Sequence, residues 1–405
     1  MRTSANPLGE AYVRLALAID QHLPGYIDAY FGPPEWKAQV EAEGKRPLAE
    51  LQRAAADLAE AVTNQVSLDP QQQDFLAKQV RAMETSLRLL GGERLPLAEE
   101  VAALYDITPA WVDERVFEDA HRELDELLPA GESLRERMIA RKQALEVPVE
   151  QVAEVLPIIC DDLRQRTQQR FPLPSDETFE LQFVSGQPWS AYHWYLGDAH
   201  SRIEINTDLP LRVNRLGELM AHEGYPGHHT ELTIKDRRFY RAAGLVEHSL
   251  ALINTPSCVV SEGIAVQALD VLMTPAEQVA WQAEVVYPRA GMAHLDAGRE
   301  QRIDTVARRL SGVVDNAAFL LHDGGLPPGE VSAYLQRYAL LRDEEAQKNV
   351  DFISNPLYRS YIFTYDSGRQ LLETLFAQNE DVDGWFRRLL TEPVTPTLIR
   401  GWIAA

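Results

Sequence analysis

Along most of this chain apolar residues recur at intervals of three and four, the mark of helices with one buried face; only near the middle do they alternate. The helical period opens over residues 9–23, where Tyr12, Val13, Leu15, Leu17 and Ala18 recur and Pro24-Gly25 closes the segment. It returns over 48–66 and 70–90, the latter ended by Gly91-Gly92, and again over 109–128 and 132–146. These segments are expected to form a helical scaffold or lid.

After Pro172-Leu173-Pro174 the period changes to two. Residues 177–184 alternate, 190–196 are rich in aromatics, Gly197-Asp198 reads as a turn, and 201–206 alternate again. A small antiparallel sheet is expected there. From Leu211 onward the helical period resumes, with breaks near Pro256, Pro275, Pro288, Pro327-Pro328, Pro356 and Pro393. The fold class expected is therefore mainly α, with a helical N-terminal lobe or lid over 1–165 and a second lobe, small sheet plus helices, over 166–405.

Composition narrows the function classes. A chain of 405 residues with 45% hydrophobic positions can bury a sizeable core. Its net charge of −22 repels phosphate backbones and anionic bilayers, so neither nucleic acid nor membrane is an expected partner. The two cysteines, Cys160 and Cys258, are too few for a disulfide framework, and the segment Met1-Arg2-Thr3-Ser4-Ala5-Asn6-Pro7 lacks the apolar stretch of a secretion signal. A cytoplasmic location is the expectation.

The chemistry concentrates in His222-Glu223-Gly224-Tyr225-Pro226-Gly227-His228-His229. Neutral imidazole is a common zinc ligand, and a catalytic zinc takes three protein ligands with one position left open. Leu216, Leu219 and Met220 form an apolar stripe just before His222, so the motif is expected on a helix anchored in the core. It is not the ordinary pair of histidines four apart, because Pro226 holds that position and cannot continue a regular helix. A local bulge at Pro226-Gly227 is expected to swing His228 back beside His222, with His229 in a supporting or surface role. A further helix is expected from Pro256, and Glu262 would sit on its apolar face. A carboxylate is costly to bury unless it is paired or binds a cation, which makes Glu262 the natural third ligand; a capping or ion-paired glutamate is the alternative. Tyr192, His193, Trp194 and Tyr195 suit either a pocket wall or a strand core, and Asp315 either a support for a ligand histidine or a surface charge. Glu118-Asp119-Ala120-His121 is one half of what a carboxylate-bridged two-metal bundle needs.

Together with Ser261-Glu262-Gly263-Ile264-Ala265, the histidine motif resembles the DUF885 family of bacterial proteins, placed among the gluzincin-type metallopeptidases. The resemblance extends to Asp315-Asn316-Ala317-Ala318-Phe319-Leu320-Leu321-His322, to Tyr361-Ile362-Phe363-Thr364-Tyr365-Asp366-Ser367-Gly368-Arg369, and to Tyr30-Phe31-Gly32-Pro33-Pro34. Ile264 departs from the family's more usual tryptophan, and Arg369 stands where members vary. The resemblance implies a two-lobed gluzincin-like fold with a small sheet beside a central cleft. It also implies one Zn²⁺ held by His222, His228 and Glu262, with Glu223 as general base. An oxyanion needs a donor beyond the metal, and His322 and Tyr365 are the candidates. Residues 201–206 precede the metal helix as the substrate-binding edge strand of gluzincins does. The expected function is a zinc-dependent metallopeptidase acting on short peptides. Hydrolysis of a small non-peptide amide at the same site, and an inactive metal-binding scaffold, are the alternatives.

Overall fold

In a computed structural model of the protein, residues 6–404 are described except 67, 188 and 209, so positions 1–5 of the N-terminal segment read above lie outside the described residues. The fold is mainly helical, and its helices begin where the sequence supplies caps. Asn6 caps the helix Pro7–Asp20 by accepting from the Gly9 amide, and Asp69 does the same for Pro70–Leu90. The segment expected over 109–128 starts later, as Glu114–Leu127, because Asp113 caps it there; Ser133 and Glu136 form a capping box at the head of Leu134–Ala144. Three helices escaped the periodicity, Pro34–Glu43, Leu97–Tyr105 and Val149–Arg170. The first buries only Val40, too little for a pattern to register.

Seven strands form three small sheets among the described residues: β1 (Ile27–Tyr30) with β7 (Leu250–Leu252), β2 (Glu146–Val147) with β6 (Leu211–Arg212), and a three-stranded sheet. In the last, the order is β3 (Thr178–Val184), β5 (His200–Asn206), β4 (Ala191–Gly197). This sheet is mixed, which corrects the antiparallel sheet expected. β4 and β5 form a hairpin around a turn whose residues Gly197, Asp198 and Ala199 all have positive φ, while β3 lies along the other edge of β5 and runs parallel to it. Alternation reports a half-exposed strand but not the direction of its neighbour.

Three hydrophobic clusters fill the interior, and each draws on both sides of the boundary expected at residue 165. One joins the first four helices to Val246, Leu250 and Leu252. A second joins 97–138 to 253–363, and the third joins the helix Val149–Arg170 to the helices of the histidine motif and the C-terminal helices. Among the described residues no single helix is long and apolar enough to cross a bilayer.

Candidate metal and catalytic site

The histidine motif folds as two helices with a break between them. The helix Leu216–Glu223 anchors on buried Leu216, Met220 and Ala221 and ends at Glu223; the helix His228–Lys235 begins with His228 itself. The expected bulge within one helix is thus replaced by a full interruption. Pro226 cannot donate to the carbonyl of His222, so the chain leaves the helix, and the Gly227 amide turns back to Ala221 O at 2.9 Å. Only glycine fits at 227, because a Cβ there would lie 1.9 Å from His222 O. The outcome matches the purpose expected of the break: the His222 and His228 rings stand 4.8 Å apart, edge to face.

Glu262 reaches them from the helix Pro256–Leu272. That helix crosses the helix Phe363–Ala377 at Gly263 and Gly368, so closely that a Cβ on Gly368 would lie 2.5 Å from Val259 O. The crossing brings Tyr361, just ahead of that helix, against Glu262, and its hydroxyl donates to Glu262 Oε1. Glu262 is 4% exposed, and its Oε2 has no hydrogen-bond partner. One ligand atom each from His222, His228 and Glu262 falls within 4.8 Å of the other two. His222 Nε2 lies 3.5 Å from Glu262 Oε2, and His228 Nε2 lies 3.6 Å from Oε1. Two donors held ~2.0–2.1 Å from one tetrahedral ion stand ~3.4 Å apart, so the spacing and the N, N, O donor set fit zinc, and the orphaned Oε2 gains a partner from it.

Supporting contacts orient the ligands. Ser261 donates to Glu231 Oε2, so its oxygen is left to accept from His228 Nδ1–H at 3.1 Å, and this fixes the ring with Nε2 facing Glu262. Glu231 is held in turn by Lys235. Burial opposes charge on His228, but hydrogen bonding and attraction from Glu262 outweigh it and hold the ring at about 9. Burial and the His228 charge push His222 down to about 4. Burial, against the pull of His228, pushes the Glu223 carboxyl up to about 7. Glu262 also feels burial, yet His228 and His222 keep it below the usual glutamate range.

Tyr365 stands at the site, its ring 5.5 Å from that of Tyr361 and close enough for Glu262 and Glu223 to raise its already desolvated hydroxyl further. His322 does not join it. Its Nε2 is bonded to the Ile353 carbonyl at 2.7 Å, and the ring lines neither of the two cavities described below, so the expected oxyanion role is corrected to a structural one. The apolar run before His322 packs through Phe319 against Phe363. His229 is completely buried. It bridges Glu177 Oε2 at 2.8 Å and Ser201 Oγ at 2.7 Å, and Tyr225 and Arg164 share the same carboxylate, so it bolts the helix to the sheet. Asp315 is buried rather than on the surface, and its neighbours are Asp366 and Arg369 rather than a ligand histidine. Glu118 is exposed and His121 is bonded to Tyr338 O, so they assemble no second metal pair.

Two cavities meet at the motif. One, of about 160 Å³, is walled by His193, Tyr192, Asp28, Tyr358 and the three candidate ligands. The other, of about 550 Å³, shares with it Trp189, Ala191, His222, Glu223, Phe352 and Tyr365. The strand beside them is β4, not 201–206: β5 is paired on both sides, whereas the outer edge of β4 carries no strand among the described residues. The free edge beside the cavities is therefore that of β4. Sequence reasoning missed Asp28, Ser261 and Tyr361 as site residues. Tyr361 had a signal, since it lies four before Tyr365 in the quoted motif; Asp28, which accepts from Tyr192, had none.

The likeness to solved proteins is one of fold. A candidate lipoprotein from Colwellia psychrerythraea superposes with a TM-score of 0.56 at 15% identity, covering 87% of this chain and 66% of the other. A candidate lipoprotein of unknown function from Shewanella oneidensis gives a TM-score of 0.50 at 12% identity, covering 96% and 81%. The chain thus spans about two thirds of the first of these proteins. No family model and no curated protein matches the sequence.

Proposed function

We propose that the protein is a zinc-dependent hydrolase cleaving short peptides, a member of the gluzincin-like DUF885 family. The observation that carries the reading is the triad of half-buried His222 and His228 with buried Glu262, with an orphaned carboxylate oxygen at its centre and Glu223 beside it where two cavities meet. Zinc held there supplies Lewis acidity, drawing the pKa of water toward ~7 and polarising a substrate carbonyl.

The chain's own groups do the rest. Glu223, beside the triad, takes a proton from water and returns it to the leaving amine. Tyr365 keeps its proton and donates a hydrogen bond to the oxygen that becomes negative. Tyr361 and Ser261 hold Glu262 and His228 in place. The free edge of β4 offers backbone hydrogen bonds to an extended peptide. Hydrolysis of a small non-peptide amide uses the same groups and is the second reading.

Elemental analysis of wild type and His228→Ala, with a mixed short-peptide library assayed alongside, tests this. The expected result is about one zinc per chain, lost in the variant, with cleavage that chelators abolish. Glu223→Gln retains the metal and loses turnover by ~10²–10⁴-fold. Metal without cleavage of any peptide would remove the peptidase reading, and no metal in the wild type would remove the hydrolase reading with it.

A further inference from the structure

The larger cavity differs in charge from the chain that surrounds it. The protein carries −22, yet this wall holds Lys142, Arg212, Arg215, Arg342 and Lys348. Of its acids other than Glu223, each is already engaged: Glu345 with Lys142 at 2.7 Å, Glu146 with Arg342 at 2.6 Å and Glu218 with Arg215 at 2.8 Å. Lys348 has only a loose contact, 3.8 Å from Asp208, which lies outside the lining. Arg212 has nothing. Its backbone pairs with Glu146 across β2 and β6, but among the described residues no carboxylate or hydrogen-bond acceptor engages its guanidinium. A half-buried guanidinium without a partner is costly, and desolvation lowers its pKa even with Glu345 nearby. Such a group is worth retaining where a ligand completes it, and a guanidinium fork matches a carboxylate in two parallel hydrogen bonds.

We infer that this cavity is the subsite for a carboxylate of the substrate, received by Arg212 with Lys348 as the second cation of the wall. The inference rests on the proposed hydrolase and adds a direction to it: the carboxyl-terminal side of the peptide enters the basic cavity, and the bond to be cut lies at His222 and Glu223, which line both cavities. The carboxylate has two sources, a free chain terminus or the side chain of an aspartate or glutamate.

Calorimetric binding to the zinc-supplemented Glu223→Gln protein tests this without turnover. The probes are N-acetyl-trialanine, its C-terminal amide, and the amide of N-acetyl-Ala-Asp-Ala. The free acid is expected to bind at least about tenfold more tightly than the trialanine amide, the range of a charge-assisted hydrogen bond. Arg212→Met brings that ratio close to one, and Arg212→Lys restores part of it. Lys348→Met, on a partly exposed helix position, lowers the ratio less and serves if Arg212→Met does not fold. Tighter binding of the aspartyl amide than of the trialanine amide, again lost in Arg212→Met, would assign the subsite to an acidic side chain. Equal binding of acid and amide by the parent protein, no binding of any probe, or a preference that survives Arg212→Met overturns the inference. Hydrolysis of the same peptides by the zinc-loaded wild type reads the proposed function separately: a carboxylate preference without turnover keeps the subsite and removes the hydrolase.

Discussion

Replacing Tyr361 with phenylalanine removes one oxygen and separates the support of the ligand set from catalysis. That hydroxyl is the hydrogen-bond donor to Glu262 Oε1, and the opposite oxygen has no partner, so the substitution leaves a 4%-exposed carboxylate with no hydrogen-bond donor but the two histidines 3.5 and 3.6 Å away. The ring itself is retained, with its edge-to-face contact to Tyr365, so little packing is lost. A hydrogen bond to a buried charge contributes ~1.5–3 kcal/mol, and loss of such support to a metal ligand weakens metal binding ~10–100-fold. The two figures agree. Zinc affinity, measured by competition against a calibrated chelator, is expected to fall in that range in Tyr361→Phe, and the metal-free protein is expected to lose ~1.5–3 kcal/mol in urea denaturation. Tyr365→Phe is the matched control. It makes no hydrogen bond to Glu262, so zinc affinity stays near wild type while turnover falls. Wild-type zinc affinity in Tyr361→Phe, or an equal loss in Tyr365→Phe, would refute the assignment of the two tyrosines.

Other expectations follow from the same geometry. His229→Ala breaks a fully buried network around Glu177 and is expected to cost ~3–5 kcal/mol in denaturant unfolding while still binding zinc one to one; loss of metal without loss of stability would make His229 a ligand instead. Gly368→Ala places a Cβ 2.5 Å from Val259 O, so the crossing that carries Tyr361 to Glu262 must open, lowering both thermal stability and zinc affinity; an unchanged melting temperature would count against it. Burial holds His248 near 3, below its ordinary 6.5, so the neutral ring stabilises the fold fully above about 6.5 and that contribution is lost as pH falls toward 3. Between pH 7 and 5 the wild type should lose on the order of 1–2 kcal/mol more than His248→Phe, which keeps the contacts with Phe75 and Phe239 without titrating. Identical pH slopes for the two would show that His248 is not the group responsible.

Local patterning determined the helices and the candidate ligands of this protein, because both are written in short-range sequence. Pro70–Leu90 and Pro256–Leu272 carry their apolar faces, proline starts and ends within their own spans. Pro226-Gly227 between two histidines announced a bend, though not the full interruption that the helix makes there, and a lone carboxylate on an apolar face announced Glu262. What the pattern could not carry was pairing. β3 runs parallel to β5 because of how the chain returns to the sheet, and the free edge fell to β4 for the same reason. His322 and Tyr365 looked alike as candidate donors; the packing of Phe319 against Phe363 took one to the Ile353 carbonyl, and the Gly263–Gly368 crossing put the other beside Glu223. Asp28 and Arg212 are ordinary residues on short strands until the tertiary structure seats one near His228 and leaves the other unpaired in a cavity wall. Burial and electrostatic environment are properties of neighbours distant in the chain, so the residues that tune and feed the site emerge only once the helices have packed.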